Sequence, residues 1–193
     1  MKYKKFKAII REKLDDYRYE HSLAVADEAA RLAEKYGGDR ERAYLAGLLH
    51  DITKNINQEE HLKIFRSFDI ILSDLEKNAP KLWHAISGSV YVSEVLKIED
   101  SELISAIRYH TTGKADMSLL ELILFIADFT SRDRNYPDVE VMRALADKSL
   151  YEAAVYALSY TVNDLNEQGS AVHPDTLTAL EYYKTLIQGE DLF

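Results

Sequence analysis

The sequence has no cysteine, only three prolines, seven glycines and one tryptophan, and no long uninterrupted apolar run. Each scarcity removes a class of explanation. Without cysteine there is no disulfide framework, no thiolate nucleophile and no cysteine-ligated zinc, so any metal must be held by histidine and carboxylate. Few prolines and glycines leave little to break helices, which predicts a mostly helical chain with short connections. No apolar stretch is long enough for a membrane span. The basic opening Met1-Lys2-Tyr3-Lys4-Lys5-Phe6-Lys7 is followed only by Ala8-Ile9-Ile10, too short for the apolar part of a signal peptide, so a cytoplasmic protein is expected. A formal charge of −9 argues against nonspecific nucleic-acid binding, which needs a basic face. It leaves room for a small phosphorylated ligand, because metals and a few local cations can reverse the potential within one cleft.

What is present is a set of inward or helix-terminal histidines and carboxylates. The run Leu45 to Lys54 is an apolar helical segment ending in adjacent His50 and Asp51. Neighbours on a helix point about 100° apart, so the two cannot serve one ion identically. A carboxylate has two oxygens, which makes Asp51 a natural bridge between two ions about 3.5–4 Å apart. His21 shares a face with Val25, Ala29, Leu32 and Tyr36, a helix stopped by Gly37-Gly38. His84 shares one with Gly88, Tyr91 and Val95, and Gly88 would leave room beside the imidazole for an ion. His110 ends a helix carrying Leu103, Ala106 and Ile107, and Asp128 lies in Leu119 to Phe129, a segment apolar almost all round. A buried Asp128 needs a partner charge, which a metal would supply. His61 falls in a charged segment and is expected to be exposed.

The helix boundaries are also legible. The first helix is expected over Phe6–Tyr17. Asp39 is a candidate N-cap, Asn57 with Glu60, Ser118 with Glu121 and Ser149 with Glu152 look like capping boxes, and Pro137 suits a first helical turn. Residues 62 to 80 read as a helix and connection with no identifiable catalytic group. The chain reads as one all-α domain over 1–193, with a core at about 18–130 and helices of 137–188 packed on it.

His21, His50, Asp51, His84, His110 and Asp128 exceed what one open catalytic ion needs but fit two ions sharing Asp51. The provisional division is His21, His50, Asp51 and Asp128 on one, with Asp51, His84 and His110 on the other.

The ordered set His21, His50-Asp51, His84, His110, Asp128 resembles the HD-domain metal-dependent phosphohydrolases, a helical bundle with a metal centre between its helices. It is similar in particular to the YqeK family, from Arg18-Tyr19-Glu20-His21-Ser22 through Arg108-Tyr109-His110-Thr111-Thr112-Gly113 to His173-Pro174-Asp175-Thr176. The resemblance implies symmetrical cleavage of diadenosine tetraphosphate into two ADP by attack of metal-bound hydroxide. It implies a di-iron or other two-metal centre, with manganese, cobalt, nickel and zinc admitted by the same ligands, and a homodimer. Asp51, His84 and His110 are then the candidate catalytic residues. Substrate contacts are expected from His21, His84 and His110 together with Arg18, Lys54 and Arg134, Arg132 being a further candidate clamp. The segment Gly169, Ser170, Ala171, Val172, His173 and Pro174 is expected to fold over the substrate, Ser170 and neighbouring amides donating to phosphate. The chain departs from the family where Asp128 continues Phe129-Thr130-Ser131-Arg132-Asp133, leaving that loop's contacts open. The rival readings are another HD-type nucleotide phosphatase or phosphodiesterase, and a noncatalytic nucleotide-sensing module that would have lost a ligand.

Overall fold

Why the chain breaks where it does is mostly a matter of caps. The computed structural model describes residues 3–190; Met1 and Lys2 of the basic opening lie outside them. The opening helix α1 is Lys4–Lys13, shorter than expected, because Leu14 turns extended (ψ 144°) and Asp15 accepts from Arg18 N to cap a new helix, α2, Asp16–Tyr36. Gly37 closes α2 in the left-handed conformation at φ +74°, which glycine adopts at little cost. Asp39 caps α3, Arg40–Leu49, by accepting from the amides of Glu41 and Arg42. A complete Asn57–Glu60 capping box opens α4, Gln58–Ser67, and a Ser73–Glu76 box opens the short α5, Asp74–Asn78. A tight turn at Pro80–Leu82 leads into α6, Trp83–Val90, which continues as a π-helical turn over Tyr91–Val95. Asp100 caps α7, Ser101–Tyr109, and the Ser118–Glu121 box opens α8, Leu119–Thr130.

Two later expectations need correction. Pro137 precedes the helix it was expected to begin: α9 is Val139–Lys148, entered through Asp138 at φ +66°. Ser149 caps α10, Leu150–Glu167, but the box is half made, because the Ser149 amide donates to Leu145 O at 2.8 Å and the Glu152 carboxylate bonds Lys148 Nζ at 3.0 Å. The last helix, α11, is Pro174–Glu190.

Among the described residues there are helices and no strand, the all-α class expected. The apolar α8 is the axis of the bundle, packing against α2, α3, α7, α9 and α10, with every residue from Leu120 to Ala127 buried. One apolar cluster runs from Ile10 to Tyr183, and a smaller one joins Phe65, Leu72, Trp83 and Ile86 beneath α4. Helices α2 and α3 pack backbone against backbone at Gly47. A Cβ at Gly47 would stand 2.7 Å from Ala26 Cα and 2.9 Å from Val25 O, so only glycine lets the backbones meet there. That contact holds the end of α3, and with it His50, against the helix that carries His21.

Candidate metal centre

The bundle brings His21, His50, Asp51, His84, His110 and Asp128 into one buried cluster, whose donor atoms fall into triads within 4.8 Å. His21–His50–Asp51 and Asp51–His84–His110 share Asp51, and a third grouping, His50–His110–Asp128, overlaps both. His50 follows α3 directly and His110 follows α7, while His21, His84 and Asp128 lie within α2, α6 and α8.

Three imidazoles have a fixed direction. His50 Nδ1 lies 2.7 Å from Gly47 O, and His110 Nδ1 lies 2.7 Å from Ile107 O. A carbonyl can only accept, so both Nδ1 atoms carry the proton and both Nε2 atoms offer a lone pair. His21 is held likewise, donating from Nδ1 to Asp133 Oδ2 at 2.7 Å, while Ser131 Oγ steadies the other Asp133 oxygen at 2.8 Å. The departure from the family pattern thus places a carboxylate behind a candidate ligand, an arrangement that orients metal-binding histidines. Nothing local in the polar loop distinguished Asp133; its partner is 112 positions away.

The free ends converge on two carboxylates. His21 Nε2 is 3.0 Å from Asp128 Oδ1 and His50 Nε2 is 3.9 Å from it. Asp51 divides its oxygens: Oδ2 lies 3.6 Å from His50 Nε2, whereas Oδ1 lies 3.2 Å from His84 Nε2 and 3.7 Å from His110 Nε2. His50 Nε2 and Asp51 Oδ1 are buried with no hydrogen-bond partner among the described residues. Leaving such groups unpaired is costly. Both atoms face the centre of the cluster, so the residues present fit a bound cation.

Protonation agrees with that fit. Burial lowers His50 to about 4, overriding the pull of Asp51 and Asp128, and burial takes His84 well down too. Burial works against Asp51 and Asp128, yet neighbouring histidines and cations hold both well below the usual carboxylate range. Neutral imidazoles and ionised carboxylates are the metal-binding forms. His21 differs: burial opposes its charge, but hydrogen bonds to Asp128 and Asp133 raise it to about 9, so a cation there would displace a proton.

Cations of the chain surround the cluster. Arg18 Nη1 donates to Asp51 Oδ2 at 3.1 Å, Lys54 Nζ lies 3.0 Å from His84 Nε2, and Arg134 bonds the Asp128 carboxylate through Nη2 and its carbonyl through Nε at 2.6 Å. Arg132 instead reaches across the surface to Asp27 at 2.5 Å.

Two sequence expectations are corrected. His61 is buried, 6% exposed, with its Nδ1 2.8 Å from Ser87 Oγ; the helix is charged outward, but its inner side closes over α6. Gly88 lies in a packed contact, where the atoms nearest an added Cβ would be Thr53 Oγ1 at 3.4 Å, His50 O at 3.6 Å and Ile107 Cγ2 at 3.6 Å. The amides of Gly169 and Ser170 are not available for phosphate. They bond Asn166 O at 3.0 Å and Leu165 O at 2.8 Å, closing α10 through Gly169 at φ +63°.

Of the segment 169–174, Ser170, Ala171 and His173 line a cavity of 720 Å³, whereas Gly169, Val172 and Pro174 do not. Nearby, Glu76 was overlooked in the sequence. Its buried carboxylate bonds Arg108 at 2.6 Å and stands 3.9 Å from His173 Nε2.

The HD domain family matches residues 18–133, which contain every candidate ligand. A symmetrical bis(5'-nucleosyl)-tetraphosphatase of Halalkalibacterium halodurans is 36% identical over 88% of this chain and 90% of that protein. One from Bacillus subtilis is 33% identical over 94% and 96% respectively. A crystal structure from Clostridium acetobutylicum, of an HD superfamily hydrolase attributed to NAD metabolism, superposes with a TM-score of 0.92 at 34% identity, covering 95% of this chain and 97% of that one.

Proposed function

We infer that this chain, which belongs to the HD-domain family and within it to the symmetrical bis(5'-nucleosyl)-tetraphosphatases, is a metal-dependent phosphohydrolase that splits diadenosine tetraphosphate into two ADP. The observation that carries the reading is the pair of buried ligand atoms, His50 Nε2 and Asp51 Oδ1, that have no hydrogen-bond partner among the described residues. In this reading His21, His50, Asp51 and Asp128 hold one cation and Asp51, His84 and His110 the other. Bound there, divalent cations would supply activation of the attacking water and neutralisation of charge on the phosphoryl oxygens.

The chain's own residues do the rest. Asp133, Gly47 O and Ile107 O fix the imidazoles of His21, His50 and His110, so little reorganisation is needed when ligands bind. Arg18, Lys54 and Arg134 each contact a candidate ligand residue, and guanidinium forks suit the nonbridging oxygens of a polyphosphate. Arg134 is held by both the carbonyl and the carboxylate of Asp128, which aims it before substrate arrives. Cleavage at the centre of a tetraphosphate releases a diphosphate on either side, so no strong proton donor to the leaving group is required. The retained ligand set disfavours a noncatalytic sensing role.

Nitrogen and oxygen donors admit several first-row metals; iron is our assignment. Iron, a homodimeric state and a cytoplasmic location rest on the family resemblance. Among the described residues no helix is long and apolar enough to cross a membrane. The apolar cluster joining Ile10 to Tyr183 supports reading the chain as one folding unit.

The test is product analysis on metal-reconstituted protein. ADP should be the sole nucleotide product, and in oxygen-18 water one label should enter one of the two ADP molecules per turnover. ATP plus AMP would overturn the symmetrical reading, and net retention of configuration at a chirally labelled attacked phosphorus would indicate a covalent intermediate.

A further inference from the structure

We propose that Arg143, on α9, is a positioning residue for the metal centre: its guanidinium ties together three backbone carbonyls of the turn that follows α8, and that turn sets Asp133 behind His21 and Arg134 against Asp128. The inference rests on the metal-dependent reading and extends it to a residue beyond 18–133, the stretch that matches the HD domain family.

Left to itself, the turn has little to hold it. Helix α8 stops at Thr130, where Ser131 leaves the helical conformation at ψ 151°, and the last carbonyls of a helix have no partner within it. A backbone bond from Arg134 N to Ser131 O, at 3.0 Å, closes the turn. Arg143 supplies further ties from a different helix: Nε donates to Thr130 O at 3.1 Å, and Nη2 donates to Ser131 O at 2.9 Å and to Arg134 O at 3.1 Å. The first of these is a contact that a cation at any helix end would make. The other two lie past the helix end, on residues 131 and 134, so the guanidinium brackets Arg132 and Asp133 between them.

The bracketed turn reaches the cluster twice. Ser131 Oγ donates to one Asp133 oxygen at 2.8 Å while the other accepts from His21 Nδ1 at 2.7 Å, and Arg134 bonds both the carboxylate and the carbonyl of Asp128. His21 and Asp128 belong to the cation that they share with His50 and Asp51. His84 and His110, on the other cation, are held instead by Lys54 Nζ at 3.0 Å and Ile107 O at 2.7 Å. Arg143 is itself anchored: Glu140 takes its Nη1 at 2.6 Å, and Met142 and Ala146 of the same helix are fully buried in the main apolar cluster. A planar guanidinium presents its donors in fixed directions, whereas a lysine ammonium is a point charge on a flexible stem, so Arg143→Lys keeps the charge at the helix end and gives up the bracket.

The experiment titrates full-length, metal-free protein with manganese by calorimetry and fits the two equivalents separately. Arg143→Lys and Arg143→Ala should each weaken one equivalent about 10- to 100-fold, the usual cost of losing support behind a metal ligand, and leave the other nearly unchanged. Asp133→Ala added to Arg143→Lys should cost little more, because both changes act through His21. Met142→Ala removes a core side chain beside Arg143 but keeps the guanidinium, so it should lower the urea midpoint and leave both equivalents as in the wild type. An equal loss at the two equivalents overturns the assignment, as does a loss in Met142→Ala that matches Arg143→Lys, since either would make Arg143 a general prop for α9. Two unchanged equivalents in both Arg143 variants overturn it as well, while the metal centre stands. A wild-type protein that takes up no manganese refutes the metal centre and this role with it.

Discussion

Asp51 and Asp133 show how differently two carboxylates can act at one centre. Asp51 offers Oδ1 to His84 and His110 and Oδ2 to His50, so a single side chain serves both halves of the cluster. Asp51→Ala should abolish turnover and reduce metal at both positions, read by elemental analysis; full occupancy in an active variant would refute the shared carboxylate. Asp133 touches no other residue of the cluster but accepts from His21 Nδ1 at 2.7 Å. Removing such a partner lowers metal affinity about 10- to 100-fold. Asp133→Ala should show that loss in metal titrations, with unchanged helical circular dichroism, and Asp133→Asn should recover part of it through its remaining carbonyl oxygen.

Between helices, contact distance and burial decide what a substitution costs. At Gly47 the obstruction to a side chain is Ala26 backbone, 2.7 Å from the added Cβ, and backbone cannot rotate aside. Gly47→Ala should destabilise by about 1–3 kcal/mol or somewhat more, seen as a lower urea midpoint at unchanged slope. Gly88→Ala, facing neighbours at 3.4–3.6 Å, should be tolerated. His61 joins α4 to α6 through Ser87, and burial holds it below the ordinary 6.5. Its folded form resists protonation, so its share of stability is present above the unfolded pKa of about 6.5 and is lost as pH falls toward the lower folded value. His61→Gln should therefore narrow the gap in urea midpoint between about pH 7.5 and 5.5. An unchanged gap would mean that His61 titrates alike in both states.

For the molecule as a whole, the metal cluster sits where α2, α3, α6, α7 and α8 meet, so ligation and folding are linked. A ligand that binds only the folded state stabilises it by about 2.7 kcal/mol at a hundredfold excess over its Kd. Chelation should lower the thermal midpoint of the wild type, and readdition of divalent metal should restore it. Asp51→Ala should show neither change, because its cluster has lost the shared carboxylate. Equal responses from both proteins would locate the stabilising ion elsewhere.

The helices and the order of the candidate ligands were legible because both depend on short-range rules. The boxes at Asn57–Glu60 and Ser118–Glu121 are closed by residues three apart, and the inward spacing of His21, Asp128 and the rest follows from helical period alone. Where a cap has a competing partner, as the Ser149 amide has in Leu145 O, the local rule fails. Tertiary structure alone decided which groups from distant positions meet. Asp133 reaches His21 across 112 positions, Glu76 reaches Arg108 across 32, and His61 reaches Ser87 across 26. Such pairs leave no periodic trace in the sequence. Their partners are chosen by how the helices pack, and that packing turns on contacts such as Gly47 against Ala26, where the missing side chain is the determining feature.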